Sequence, residues 1–111
     1  MSLDQLPPDV FKHWTESRED RNKRPNVSVF RPSDYKFPPS RGRRGFEIKK
    51  NGEFILHEIG PTDRPVKIVG NFTVVDSNKI KVYLEDKRFT PFTLRIVDIE
   101  ENGNILRVER L

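Results

Sequence analysis

The sequence predicts an all-β domain: an antiparallel up-and-down meander of about eight short strands that closes into a small β-barrel. Three observations predict it. From residue 46 onward apolar and polar residues alternate in short runs, the period of half-buried strands. The turn dipeptides Asn51-Gly52, Ser77-Asn78 and Asn102-Gly103 punctuate those runs. At each turn a three-residue loop puts the apolar residues of both arms on one face, as burial demands, whereas a one-residue slip would mix the faces.

In chain order, Pro7-Pro8-Asp9-Val10-Phe11 suits a short helical turn, with proline at its start and Asp near its positive end. Two short strands follow, around His13 to Ser17 and Val27 to Arg31. Pro32 to Gly45 is then a long loop, of a length that in a small domain usually carries function. A loop Lys50-Asn51-Gly52 with Gly52 left-handed sets Ile48 opposite Phe54 and Phe46 opposite Leu56, with Glu47 and Lys49 outside. The next strand points Val66, Ile68, Gly70, Phe72 and Val74 inward, and Gly70 marks a bulge, a bend or a close backbone approach. A loop Asp76-Ser77-Asn78 with Asn78 left-handed pairs Val74 with Ile80 and Phe72 with Val82, leaving Lys79 and Lys81 in water. Ile80, Val82 and Leu84, and after the 85–91 loop Phe92, Leu94 and Ile96, complete the inward set. A loop Glu101-Asn102-Gly103 pairs Asp98 with Leu106 and Ile96 with Val108, and puts Arg95 across from Glu109. The expected strands of this half are 46–50, 53–59, 66–75, 79–84, 92–99 and 105–110, and pairing the last strand with the first would remove the exposed edges.

With 111 residues the chain forms one domain, 1–111. Charged residues (34%) match hydrophobic ones (33%), a lean core under a polar surface with no apolar run long enough to cross a bilayer. Met1 to Leu6 lacks a basic region followed by an apolar run, so no secretory leader is expected. The absence of cysteine excludes disulfides and thiolate chemistry and fits a cytoplasmic location. Residues 1 to 50 hold 12 Lys+Arg against 7 Asp+Glu, while 51 to 111 hold 9 against 10, so the basic surplus lies in the first half. Such an asymmetry marks either a polyanion-binding surface or an ordinary solvated face.

Nothing in the sequence carries catalysis. There is no nucleophile elbow and no phosphate-cradling glycine loop, and the two histidines, His13 and His57, are expected on strands as surface residues. No His/Asp/Glu spacing matches a metal site, so no metal, cofactor or catalytic residue is expected. The basic and aromatic stretch is the richest candidate: Arg41, Arg43, Arg44, Lys49 and Lys50 lie close in sequence to Tyr35, Phe37 and Phe46. Guanidinium groups and rings could grip a nucleotide or single-stranded nucleic acid. Alternatively Tyr35 and Phe37 cap a barrel end, Phe46 is core, and the arginines pair with Asp34, Glu47 or other carboxylates. Trp14 either plugs the barrel end or stacks on a ligand. The bulky inward set suits a filled barrel rather than a hollow one.

Phe11-Lys12-His13-Trp14, the run Gly45-Phe46-Glu47-Ile48 with Asn51-Gly52-Glu53-Phe54, and Gly70-Asn71-Phe72 with Lys79-Ile80-Lys81-Val82 together resemble the calycin superfamily. The likeness is to small bacterial lipocalin-like domains of uncharacterised function, although Lys12 stands where a Gly-x-Trp pattern has glycine. The resemblance implies a ligand-binding barrel. The expectation is therefore a non-catalytic module that binds a small molecule or a protein partner at one barrel mouth, away from membranes. Its ligand-binding residues would be Trp14, Tyr35, Phe37, Arg41, Arg43 and Arg44, with the 32–45 loop as rim. The alternative is a nucleic-acid or polyanion binder using residues 31–50. An enzyme would require His13 or His57 to share a pocket with Asp34 or Glu58. In an up-and-down order the first and third strands start from the same end, so Trp14 should touch the 35–46 segment and the basic run should rim that end.

Overall fold

A computed structural model describes residues 5–17, 26–38, 43–60, 64–100 and 102–111. Eight strands, β1 (His13–Glu16), β2 (Val27–Pro32), β3 (Gly45–Ile48), β4 (Glu53–Ile59), β5 (Pro65–Asp76), β6 (Lys79–Leu84), β7 (Phe92–Glu100) and β8 (Ile105–Arg110), follow a 3-10 turn at Pro8–Val10. They close into a barrel in which every neighbouring pair is antiparallel. No helix among the described residues is long and apolar enough to cross a membrane.

From β3 to β8 the strands form the expected meander, each pairing with the next. The first hairpin closes the ring: β1 lies between β2 and β3, and β2 pairs with β8. Closure thus runs through β1·β3 and β2·β8 instead of last strand to first. The long link makes this possible. The chain leaves β2 at Pro32, beside the start of β1, and enters β3 at Gly45, beside the end of β1, so β2 and β3 flank β1 in the same direction. Both edges of β1 are paired, and each ladder gains one further rung from the link. Ser33 N–H donates to the His13 carbonyl (3.0 Å), and Glu16 N–H donates to the Arg44 carbonyl (2.8 Å). β1 and β3 are therefore antiparallel neighbours that start from opposite ends, a correction to the expected common start. Trp14 nonetheless meets the end of the 35–46 segment, because its register partner is Phe46.

The hairpin registers follow the inward-parity reading with two local corrections. Ile48 faces Phe54 and Phe46 faces Leu56 across a turn in which Gly52 has φ 91°, as expected. Val74 faces Ile80 and Phe72 faces Val82, yet Asn78 is not left-handed; Asp76 pairs directly with Lys79, and Val75 bulges out between the two registers. In the last hairpin Ile96 faces Val108 and Arg95 faces Glu109 as expected, but Asp98 pairs with Arg107 and Ile99 with Leu106. A bulge between Ile96 and Asp98 offsets a longer turn in which Asn102 (φ 57°) and Gly103 (φ 87°) are left-handed. Glu101 lies outside the described residues.

The inward residues form one core. Trp14, Phe54, Ile80, Val82, Leu106 and Val10 are fully buried, and Phe46, Phe72, Phe92, Leu94, Ile96 and Val108 pack with them. Val66, expected inside, is exposed at the outer end of β5. Gly70 is a close approach: a Cβ there would strike the Tyr83 carbonyl and come within 2.8 Å of the Leu84 Cα. The barrel ends differ. Leu6, Val10 and Trp14 plug the end where β1 begins. There the indole N–H donates to the Val10 carbonyl (2.9 Å), and Lys12 Nζ donates to the Gly103 carbonyl (3.0 Å).

Candidate functional site: the barrel mouth

At the opposite end a cavity of about 230 Å³ lies inside the mouth of the barrel. Its walls are the mouth-side members of the inward set, Phe30, Phe46, Phe54, Phe92, Leu94 and Val108. Phe30 and Phe46 tilt against each other at 4.7 Å, Phe46 stacks on Phe54 at 5.5 Å, and Phe54 meets Phe92 edge-on at 6.3 Å. The barrel is thus filled at its closed end and hollow at its mouth, where the expectation was a filled one. The plugged end already takes Trp14 and Val10, and eight strands leave an interior just wide enough for one small ligand where side chains fall short.

The rim is polar. Arg44 Nε pairs with Glu58 Oε2 at 3.1 Å, Arg110 lays its guanidinium 4.2 Å over the Phe92 ring, and Glu16, Asn26 and Ser28 add further polar groups. No carboxylate is paired with Arg110 among the described residues. The Arg44 side chain is 65% exposed, so its bridge to Glu58 is a weak, solvent-screened contact that a ligand can displace.

Of the expected ligand-binding residues that are described, Arg44 alone lines this cavity, together with Phe46 and Glu58, which the sequence singled out in other roles. Trp14 lies in the core towards the opposite end. Tyr35, Phe37 and Arg43 form a stack away from the cavity. Tyr35 meets Phe37 edge-on at 5.0 Å, Arg31 covers Tyr35 at 4.3 Å and Arg43 covers Phe37 at 4.5 Å. Arg43 also donates to the Pro38 and Glu16 carbonyls. Arg41 lies outside the described residues. Arg43 and Arg44 therefore serve different faces, and Arg44 is carboxylate-paired. Arg110, Phe92, Leu94 and Val108 were legible as inward or end residues, but their convergence depends on a ring order that the long link decides.

A second cluster stands on the outer wall where β1, β3 and β4 adjoin. His13 Nδ1 lies 3.5 Å and His57 Nε2 3.3 Å from the same Glu47 Oε1, and the two imidazoles stack at 4.3 Å. Both histidines point outward as expected, but the His57 side chain is only 16% exposed rather than a free surface group. Burial, and then the neighbouring His57, hold the His13 imidazole below its usual 6.5; Glu47 raises it, and Lys67 lowers it further. Both histidines share a recess of about 220 Å³ with Glu58, the geometry required above for an acid–base site. Among the described residues that line it, Thr15 carries the one hydroxyl group. Comparisons with protein families, with curated proteins and with solved structures give no match to this chain.

Proposed function

We propose that this protein is a small binding module of lipocalin-like type that takes a compact, largely apolar molecule with an anionic head into the barrel mouth. The observation that carries the reading is the aromatic cavity of about 230 Å³ under a polar rim. A dry apolar cavity of roughly 150 Å³ accommodates benzene, so this one suits a single ring with a short substituent. Phe30, Phe46, Phe54 and Phe92 supply the apolar walls, and Arg110 and Arg44 supply cations at the entrance. Few, well-placed polar groups over an apolar floor are the usual anatomy of a ligand site. The strand order differs from an up-and-down lipocalin at the first hairpin, so the likeness rests on eight antiparallel strands and a mouth cavity. A polyanion-binding role for residues 31–50 receives less support, since Arg43 and Arg44 diverge, one onto the Phe37 ring and the other onto the rim of the mouth.

The test is NMR shift mapping with a panel of aromatic carboxylates, the matching alcohols and a single-stranded oligonucleotide. Carboxylates should shift the amides of Phe46, Phe54, Phe92 and Val108. Leu56→Phe, which fills the cavity, should abolish those shifts, and Arg110→Ala should narrow the preference for acid over alcohol. Shifts confined to outer strand faces, or a steeply salt-dependent response to the oligonucleotide alone, would overturn the reading.

A further inference from the structure

We infer that His13, Glu47 and His57 form a site for a divalent transition-metal ion, zinc being the best match, on the outer wall of the barrel and independent of the mouth. The β3·β4 hairpin brings His57 to Glu47, and the ring order adds His13 from a distant part of the sequence. Glu47 is the register partner of His13 across β1·β3, and His57 pairs with Gly45, so it sits diagonally from Glu47 across β3·β4. Phe46 and Ile48 on either side of Glu47 are core, which fixes the carboxylate outward beside both imidazoles.

The donor set and spacing suit zinc. Zinc–ligand bonds of about 2.0–2.1 Å in a tetrahedron put neighbouring donors about 3.3–3.4 Å apart. Glu47 Oε1 stands 3.3 Å from His57 Nε2 and 3.5 Å from His13 Nδ1, and all three donor atoms lie within 4.8 Å of one another. Two imidazoles and one carboxylate form the ligand set of an open zinc site, with a position left for water or a small anion. The recess beside the histidines gives that position room. The imidazoles stack at 4.3 Å with 19° between their planes, so their in-plane lone pairs run nearly parallel, and binding requires one ring to turn about its side-chain torsion so that both nitrogens and Glu47 Oε1 face one ion. The opposing charges are Lys49, with Nζ 3.9 Å from Glu47 Oε2, and Lys67, the register partner of His57. Both are long, flexible side chains, and Lys49 has Glu53 at 3.0 Å as an alternative partner.

The chain has only two histidines and no cysteine, so the tag-free protein gives an unambiguous assay. Zinc chloride is titrated into the apo chain by calorimetry, with the imidazole nitrogens followed by long-range proton–nitrogen NMR. One equivalent should bind, and both rings should shift together. Glu47→Gln, His13→Ala and His57→Ala should each weaken binding at least about tenfold. Absence of saturable binding, a response from one ring alone, or Glu47→Gln binding as tightly as the parent chain would overturn the site. Should Glu47→Gln fail to fold, cobalt substitution in the parent chain decides. The intense visible absorption of a four- or five-coordinate ion supports the site, and the weak bands of an octahedral aqua ion refute it.

Discussion

Truncation of Trp14 tests the claim that the end where β1 begins is a packed plug. The indole is fully buried and donates to Val10 across the 3-10 turn. A buried indole removes on the order of 200 Å² from water, which at about 25 cal/mol per Å² gives roughly 5 kcal/mol as an upper figure. Large-to-small changes at aromatic core sites cost about 3–5 kcal/mol, and Trp14→Ala should fall in that range. Trp14→Phe separates the ring from the hydrogen bond. The Val10 carbonyl keeps the Lys12 N–H at 3.0 Å, so it is not orphaned, and the cost should be the net worth of one bond plus a smaller cavity, about 1–2 kcal/mol. Urea unfolding followed by far-UV circular dichroism measures both, since Trp14 is the sole tryptophan and the variants lose that fluorophore. A loss below about 1 kcal/mol for Trp14→Ala, or equal losses for both variants, would refute the plug.

Three further expectations follow from the wall. Gly70→Ala forces a methyl group into the Tyr83–Leu84 backbone and should lower stability by about 1–3 kcal/mol in urea unfolding; an unchanged midpoint would show that the strands can part there. Asp86 accepts the Arg88 side chain at 2.6 Å and the Arg88 N–H at 2.9 Å, which hold its carboxyl down at about 2, so a carbon-detected NMR titration should give a midpoint near that value. Any stability it lends is complete above its ordinary 3.8 and lost as pH falls through about 2, and Arg88→Ala should bring the midpoint back up; equal midpoints in both chains would disprove the pairing. Arg95 and Glu109, paired at 2.7 Å across β7 and β8, should show a coupling of about 0.3–1 kcal/mol in a double-mutant cycle, and strictly additive losses would remove the pair from the stability of that hairpin.

How far the sequence reveals the structure depends on the range of the interaction. Phe46, Ile48, Phe54 and Leu56 meet across a tight turn, and parity alone reads their register because a slip would expose all four. Local chemistry was read less well. The pairing of Val74 with Ile80 came out right, although a bulge at Val75, and not a left-handed Asn78, sets it. Ile96 with Val108 survived because a longer turn and a bulge cancel, while Asp98, lying between the two offsets, was given the wrong partner. The candidate site was legible only in part for a longer-range reason. Parity names Phe54, Phe92 and Leu94 as inward, but which inward residues face a common void depends on whether β1 neighbours β3, a pairing between segments far apart in sequence. The same adjacency, invisible in spacing, brings His13 to the pair that Glu47 and His57 already form across the β3·β4 hairpin.

The two barrel ends divide the work of folding and binding. At the closed end the N-terminal turn, Trp14 and the Gly103 loop are tied by Lys12 and the indole N–H, so the core there is dense and its side chains are held. At the mouth the strands carry apolar residues up to the rim, no helical turn among the described residues covers them, and the bridge between Arg44 and Glu58 is solvent-exposed. A cavity lined by five phenylalanines, Phe89 among them, forgoes the dispersion contacts that a filling side chain would give, a cost the dense end can offset. The described ends of the 33–44 link join the two ends of the barrel. Ser33 bonds the backbone beside His13, and Arg44 bonds the backbone of Glu16 and stands on the rim, next to the start of β3, which brings Glu47 beside His13. A change that loosens the Phe37–Arg43 stack should therefore shift the amides around His13, Glu47 and His57 and those of the mouth together, whereas a change in the closed-end plug should lower stability and leave the geometry of both regions intact.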